Sequence, residues 1–200
     1  MSRLAAYHLK DVLEAGCDEA GRGCLAGPVV AAAVILPLRA RIPGLDDSKK
    51  LTAAKRAALR PLIEQHALAW AVVAVEPTEI DDLNILRASF VAMHRAVTAL
   101  RQRPHHLLID GNRFIPYPGI PHTCFVKGDG RFRSIAAASI LAKTHRDELM
   151  TRLHDEHPEY NWAINKGYPT EDHRAALDRI GPCIHHRRSF RLNYAEPELF

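Results

Sequence analysis

Two adjacent acidic residues, Asp18 and Glu19, follow an apolar segment that predicts a β-strand over 13–18. A Gly-Arg-Gly turn comes directly after them, and a second apolar run extends over 29–36. Carboxylates at a strand end are hard oxygen ligands suited to a divalent cation. The glycines let backbone N–H groups approach a phosphate or sugar closely. The stretch therefore indicates metal-assisted chemistry on a nucleic-acid backbone.

The rest of the chain alternates apolar strand patterns with helical periodicity. Further strands are predicted over 68–75, 106–110 and 122–126, and helices over 52–66, from 78 through 100, over 131–157 and over 171–180. Short links between the first three strands predict an antiparallel meander, and the helix-linked later strands predict parallel additions to the same sheet. The fold class is therefore α/β, with a mixed sheet of three antiparallel and then two parallel strands flanked by helices.

A hydrophobic content of 47% in 200 residues predicts one domain over 1–200. Residues from about 158 to 200 are expected to form a small helical and basic extension that helps to bind substrate. The net charge of +4 favours polyanionic partners weakly. The run His185-His186-Arg187-Arg188 is interpreted as a basic surface.

The cysteine, histidine and apolar patterns argue against a zinc-binding protein, a membrane-spanning protein and a secreted protein. The four cysteines form no CxxC pair, and the twelve histidines match no zinc template. The longest apolar run has eight residues, against the roughly 20 that a membrane helix needs. The first ten residues lack the apolar core of a signal peptide. We expect a cytoplasmic protein with no membrane segment.

Four carboxylates share one kind of position, at or just after a predicted strand: Asp18, Glu19, Asp110 and Asp129. Strand ends on one edge of a sheet converge, so these side chains are expected to form a cluster that binds Mg²⁺ or Mn²⁺. An Asp before Gly is also a common turn residue. Because strand side chains alternate faces, either the strand ends between Asp18 and Glu19 or Glu19 contributes its carbonyl.

Several motifs in a fixed order make the chain similar to ribonuclease HII, the prokaryotic type 2 ribonuclease H. They run from about residue 13 to 190 and are DEAGRG at 18–23, DSKKL at 47–51, EIDDLNIL at 79–86, LIDGN at 108–112, KGD at 127–129, AASILAK at 137–143, RD at 146–147, KGYPT at 166–170 and HHRRSF at 185–190. One such motif is weak, and this many in order is specific.

The resemblance implies an RNase H-like fold and a metal-dependent endonuclease. The substrates it implies are RNA/DNA hybrids and duplex DNA with single embedded ribonucleotides. The catalytic and metal-binding acids of the family match Asp18, Glu19, Asp110 and Asp129.

The resemblance also assigns substrate contacts. Gly21, Arg22 and Gly23 match the segment that recognises the ribonucleotide 2′-OH and the adjoining phosphate. Tyr168 matches the tyrosine that packs against the sugar on the DNA side of the junction. Two positions depart from the family pattern, Cys24 for a usual proline and Ala136 for a usual serine, and neither removes a ligand.

Further charged residues have a functional and an ordinary interpretation. Lys49, Lys50 and Lys143 are candidate phosphate contacts, although a solvated lysine pair in a loop is an ordinary feature. Asp147 is expected to form an ion pair on its helix rather than to join the acidic cluster.

The expected reaction is in-line attack of a metal-activated water on the phosphodiester 5′ of a ribonucleotide, which leaves 3′-OH and 5′-phosphate ends. We expect a monomer. Two alternatives remain, namely another carboxylate-metal nuclease on a similar fold and a non-catalytic binder of hybrids.

Overall fold

The computed structural model describes residues 4–192, and a five-stranded sheet lies at its centre. The strands are β1 (Glu14–Ala20), β2 (Val29–Ile35), β3 (Ala69–Val75), β4 (His106–Asp110) and β5 (His122–Phe125). Their order across the sheet is β3-β2-β1-β4-β5. The pairs β3–β2 and β2–β1 are antiparallel, and the pairs β1–β4 and β4–β5 are parallel. The predicted mixed sheet is confirmed.

Residues 4–192 also form six α-helices, which are α1 (Ala53–His66), α2 (Pro77–Leu83), α3 (Ile85–Thr98), α4 (Arg133–Glu156), α5 (Trp162–Asn165) and α6 (Glu171–Ile180). The sheet buries apolar residues on both faces. On one face Ala31 and Ala33 of β2 pack in a cluster with α3, and on the other Ala32 and Val34 pack in a cluster with α1 and α4. Neighbouring residues of β2 thus alternate between two cores, as a central strand requires.

Helix α4 lies directly against β1, the central strand. A Cβ added at Gly16 would collide with the backbone of Ser134, so the glycine permits this close approach. Because α4 follows Asp129 and covers β1, it ties the loop that carries Asp129 to the strand that carries Asp18.

The helix boundaries follow local capping. Thr52 accepts a hydrogen bond from the Lys55 N–H at 3.3 Å and begins α1, as predicted. Asn84 has a φ of +66° and accepts from the N–H groups of Leu86 and Arg87. It therefore ends α2 and begins α3, where the sequence pattern had predicted helix from 78 through 100.

The C-terminal part packs against the rest of the chain through one apolar cluster. Tyr160, Trp162 and Leu177 are buried there with Leu25 and Met150. The boundaries of the predicted domain and extension stay predictions, since residues 1–3 and 193–200 lie outside the described residues.

The interpretation of residues 185–188 as a basic surface is wrong for its two central residues. His186 is 1% exposed and Arg187 is fully buried. Arg187 donates to the carbonyls of Gly27 and Arg22, each at 3.0 Å, so backbone acceptors of a distant loop hold this side chain inside.

Candidate active site

Three carboxylates meet at one edge of the sheet. Oxygens of Asp18, Asp110 and Asp129 all lie within 4.8 Å of one another. Cys17 of β1 pairs in parallel with Ile109 of β4, so Asp18 and Asp110 are the next residues on neighbouring strands. Asp129 comes from the short 3-10 turn Gly128–Gly130 between β5 and α4. The sequence-predicted convergence of these three acids is therefore found in the structure.

The turn at Gly128–Gly130 is built to hold two of these acids. The Gly128 N–H donates to Asp110 Oδ1 at 2.7 Å, and the Gly130 N–H donates to Asp129 Oδ1 at 3.0 Å. A Cβ at Gly128 would lie 2.7 Å from Ile135 Cδ1, so a larger residue would displace the turn. These hydrogen bonds orient both carboxylates, and the other oxygen of Asp129, Oδ2, accepts from Lys49 Nζ at 3.2 Å.

The cluster is electrostatically unfavourable on its own. Burial, followed by the charges of Glu19 and Asp110, raises the pKa of Asp18 well above its usual value. Burial and then the Asp129 charge raise the pKa of Asp110. Three carboxylates crowded together form a hard oxygen donor set that fits a divalent cation.

Glu19 stands apart from the three clustered carboxylates. The strand does not end at residue 18 as predicted, because β1 continues through Ala20 and includes both acids. Glu19 Oε1 instead accepts from Arg22 Nη1 at 3.2 Å. Burial raises the pKa of Glu19, and the nearby Arg22 opposes that shift.

A cleft of about 290 Å³ opens over the carboxylates. Its lining includes nearly all of the site residues predicted from the sequence: Asp18, Glu19, Gly21, Arg22, Gly23, Lys49, Asp110, Lys143 and Tyr168. Asp129 and Lys50 do not line it: Asp129 is 1% exposed and lies below the surface. The Lys50 side chain pairs with Asp46 Oδ1 at 3.4 Å and borders a larger cleft.

Four further residues line the cleft that the sequence analysis did not single out: Ala20, Ser48, Arg56 and Ser139. The hydroxyls of Ser48 and Ser139 are 2.8 Å apart, and Ser139 hydrogen-bonds to Asp18. Both serines lie inside quoted motifs, which was the available signal. Arg56 donates to the carbonyls of Ser48 and Leu51, and no motif marked it.

Tyr168 also lines the cleft, and its side chain is partly exposed. The residue is 39% exposed, and Lys143 Nζ lies 5.5 Å from the centre of its ring. Lys143 also pairs with Asp147 at 2.8 Å, so the predicted helical ion pair of Asp147 is confirmed. The ring edge and the lysine thus face the same space as the carboxylates.

Comparison with known proteins identifies this arrangement. The family model for Ribonuclease HII matches residues 15–196. Ribonuclease HII of Bacteroides thetaiotaomicron is 64% identical over 189 residues, which are 94% of this chain and 94% of that protein. The chain belongs to the ribonuclease HII family.

Solved structures agree with this assignment. Ribonuclease H2 from Pyrococcus horikoshii OT3 superposes with a TM-score of 0.75 at 25% identity, over 90% of this chain and 94% of that one. Bst-RNase HIII in complex with Mn²⁺ gives a TM-score of 0.74 at 20% identity, over 94% and 70% of the two chains. The RNase H-like fold implied by the sequence resemblance is confirmed.

Membership in the ribonuclease HII family makes the chain an enzyme, a metal-dependent endonuclease with ribonuclease H activity on RNA/DNA hybrids. No helix among residues 4–192 is long and apolar enough to cross a membrane.

Proposed function

We propose that the protein hydrolyses the RNA strand of RNA/DNA hybrids and also cuts 5′ of single ribonucleotides in duplex DNA, leaving 3′-OH and 5′-phosphate ends. One observation carries the proposal. Asp18 and Asp110 of the carboxylate cluster, the Gly-Arg-Gly turn and Tyr168 line a single cleft, so chemistry and sugar recognition can act on one phosphodiester.

The acids are proposed to hold one or two divalent cations, Mn²⁺ or Mg²⁺. Such cations, when bound, activate water and stabilise negative charge on the leaving oxygen. Asp18 would be shared between two ions, and Asp110 and Asp129 would supply further ligands. Glu19 completes the site through its carboxylate or its carbonyl. The solved complex of Bst-RNase HIII with Mn²⁺ supports a divalent cation on this fold.

Sugar recognition is assigned to residues 21–23 and to Tyr168. Backbone N–H groups of residues 21–23 and the Arg22 side chain are proposed to contact the 2′-OH and the adjoining phosphate. The Tyr168 ring is proposed to pack on the next sugar, where a 2′-OH would crowd it. Lys49 and Lys143 in the cleft and Lys50 beside it are proposed to contact phosphates.

The wider setting is also proposed. The protein acts as a monomer in the cytoplasm, and its part from about residue 158 contributes to substrate binding through Tyr168. Burial of Tyr160 and Trp162 against Leu25 supports that role, because it fixes the loop of Tyr168 beside the cleft.

The decisive experiment is to map the cut in a DNA duplex with one ribonucleotide, at matched Mg²⁺ and Mn²⁺ concentrations. Cleavage on the 5′ side of the ribonucleotide is expected. Cleavage of the same duplex without the ribonucleotide would favour a general nuclease. Binding of an RNA/DNA hybrid with no cleavage under either metal would favour a non-catalytic binder.

A further inference from the structure

Arg146 is a charged residue in the middle of the protein, with no exposed surface. It lies on α4, and its guanidinium donates three hydrogen bonds to backbone carbonyls. Nε donates to Pro28 at 3.0 Å, Nη2 to Ala26 at 3.1 Å and Nη1 to Lys166 at 2.8 Å. Within residues 4–192 no carboxylate forms an ion pair with it. The fork of the guanidinium therefore satisfies loop carbonyls rather than a counter-charge.

The three carbonyls belong to two segments that are far apart in sequence. Ala26 and Pro28 lie just after the Gly-Arg-Gly turn, and Lys166 lies two residues before Tyr168. The same segments also touch directly, since the Leu25 N–H donates to the Gly167 carbonyl at 2.8 Å. A Cβ at Gly167 would lie 2.6 Å from the Ala26 carbonyl oxygen. Arg146 therefore bridges the two segments where they contact each other.

Arg146 also touches both of the substrate-facing elements themselves. Gly21 has a φ of +95°, and a Cβ there would collide with the Arg146 guanidinium. On the other side, Arg146 Cζ lies 5.9 Å from the centre of the Tyr168 ring. One buried side chain thus lies against both the turn and the aromatic ring.

We propose that Arg146 is a positioning residue that sets the spacing between the Gly-Arg-Gly turn and Tyr168, and so determines discrimination between a ribonucleotide–deoxyribonucleotide junction and other duplexes. The inference rests on the proposed function, since it assumes that these two elements contact the junction. Arg146 itself reaches no substrate, because it is buried behind both.

The chemistry of the guanidinium explains why another cation cannot replace it. Its planar fork directs three N–H groups to three fixed acceptors, whereas a lysine ammonium is a compact donor on a flexible stem. Arg146→Lys therefore keeps the buried charge and loses the simultaneous bridge. Misplacement of reacting or binding groups by about 1 Å can cost up to about 10²-fold in rate.

The test compares Arg146→Lys with wild type on three duplexes: one with a single ribonucleotide, a continuous RNA/DNA hybrid and an all-DNA duplex. Cleavage gives kcat/KM for the first two, and metal-free anisotropy gives Kd for the first and third. Melting temperature is measured in parallel. Arg133→Lys is the matched control, because Arg133 is also on α4 and also donates to backbone carbonyls, those of Leu4 and Ala40.

Arg146→Lys is expected to lower the ratio of single-ribonucleotide to hybrid kcat/KM by about tenfold, within the range that such misplacement produces. The ratio of the Kd for the all-DNA duplex to the Kd for the single-ribonucleotide duplex is expected to fall as well. Arg133→Lys is expected to leave both ratios unchanged. If Arg146→Lys does not fold, Arg146→Gln decides, because the amide removes the buried charge and its two N–H groups can reach at most two of the three carbonyls.

Equal losses on all substrates by the Arg146 variant, or substrate ratios unchanged from wild type, would overturn the positioning role. The wild-type data separate this outcome from failure of the proposed function. A wild-type protein that neither binds nor cuts the single-ribonucleotide duplex preferentially would overturn the proposed function itself. A discriminating wild type with an equally discriminating variant would overturn only the role of Arg146.

Discussion

Lys49 Nζ lies 3.2 Å from Asp129 Oδ2, a contact between residues 80 positions apart. The lysine side chain is 76% exposed, whereas the carboxylate is 1% exposed. Although partial burial opposes it, the hydrogen bond and charge of Asp129, with the charges of Asp18 and Asp110, raise the pKa of Lys49. The ammonium therefore partly neutralises the acidic cluster from its solvent side.

This contact predicts that Lys49 competes with a divalent cation for Asp129. Lys49→Met is expected to tighten binding of Mn²⁺ alone by about two- to fivefold, the range expected for loss of one exposed ion pair. Titration calorimetry without nucleic acid measures the change. Lys10→Met is the control, since Lys10 precedes β1 at the strand end opposite Asp18. Weaker Mn²⁺ binding by the Lys49 variant would contradict the competition.

Asp110→Asn is expected to abolish cleavage while binding of an RNA/DNA hybrid largely survives. The amide oxygen can still accept the Gly128 N–H, but the negative charge that a cation needs is lost. Affinity depends mainly on phosphate contacts, which this variant keeps. Single-turnover cleavage and anisotropy on the same hybrid are the measurements.

Asp155→Asn makes the same chemical change at an exposed position of α4 and serves as the control. Near-normal turnover of the Asp110 variant at matched metal concentration would exclude Asp110 as an essential ligand.

Part of this site could be predicted because its acidic residues stand at the ends of apolar strand patterns. The apolar residues 107–109 followed by Asp110 gave both a strand and the position of an acid at its end, and β4 ends there. Parallel pairing then brings Asp110 beside Asp18 without further information. Local pattern and topology were sufficient for these two residues.

Other features depend on contacts that no local pattern records. Arg187 belongs to a residue type that is usually exposed, and it is buried because distant carbonyls of Arg22 and Gly27 accept its hydrogen bonds. A tertiary partner, rather than residue type, decides this position. The pairing of Glu19 with Arg22, by contrast, is local, because the two residues are three positions apart.

Binding to duplex substrates is expected to weaken steeply with salt, and Lys50 is expected to contribute to the slope. Its side chain is 61% exposed beside the cleft, whereas the buried Arg187 contributes nothing. Lys50→Gln should reduce the magnitude of the log–log slope on duplex DNA by about 0.9, the value for one phosphate contact. Anisotropy from low to moderate salt, with Lys10→Gln as control, tests this. An unchanged slope would remove Lys50 from the interface.

Protein stability is expected to fall as the pH decreases from about 6.5 toward 4, in part through His186. Burial, and then the neighbouring His173, lower the pKa of His186 to about 4. In the unfolded chain the pKa is about 6.5, so over this interval the unfolded state binds the extra proton. The contribution of His186 is therefore present above pH 6.5 and is lost on acidification, by up to about 3 kcal/mol.

Urea unfolding at pH 7 and pH 5 measures this effect. His186→Gln is expected to be less stable at pH 7, because its hydrogen bonds with His173 and Cys183 are disturbed, and to lose less stability between the two pH values. A variant with the full wild-type pH dependence would show that His186 is not the titrating group.

Tyr168→Ala is expected to impair cleavage at a single ribonucleotide more than it impairs folding. Tyr168 is 39% exposed and lines the cleft, so part of its side chain is available to a deoxyribose. Loss of such packing should cost roughly 1–3 kcal/mol, by analogy with aromatic contacts to single strands. That is about one to two decades in rate if the contact is made in the transition state.

Tyr117→Ala is the control, since Tyr117 is a half-buried loop tyrosine whose hydroxyl contacts Thr98 at 3.1 Å, away from the cleft. If Tyr168 only anchors its loop, melting temperature and cleavage of every substrate fall together. Selective loss at the junction, with a melting temperature close to that of the Tyr117 variant, is the result that the recognition role requires.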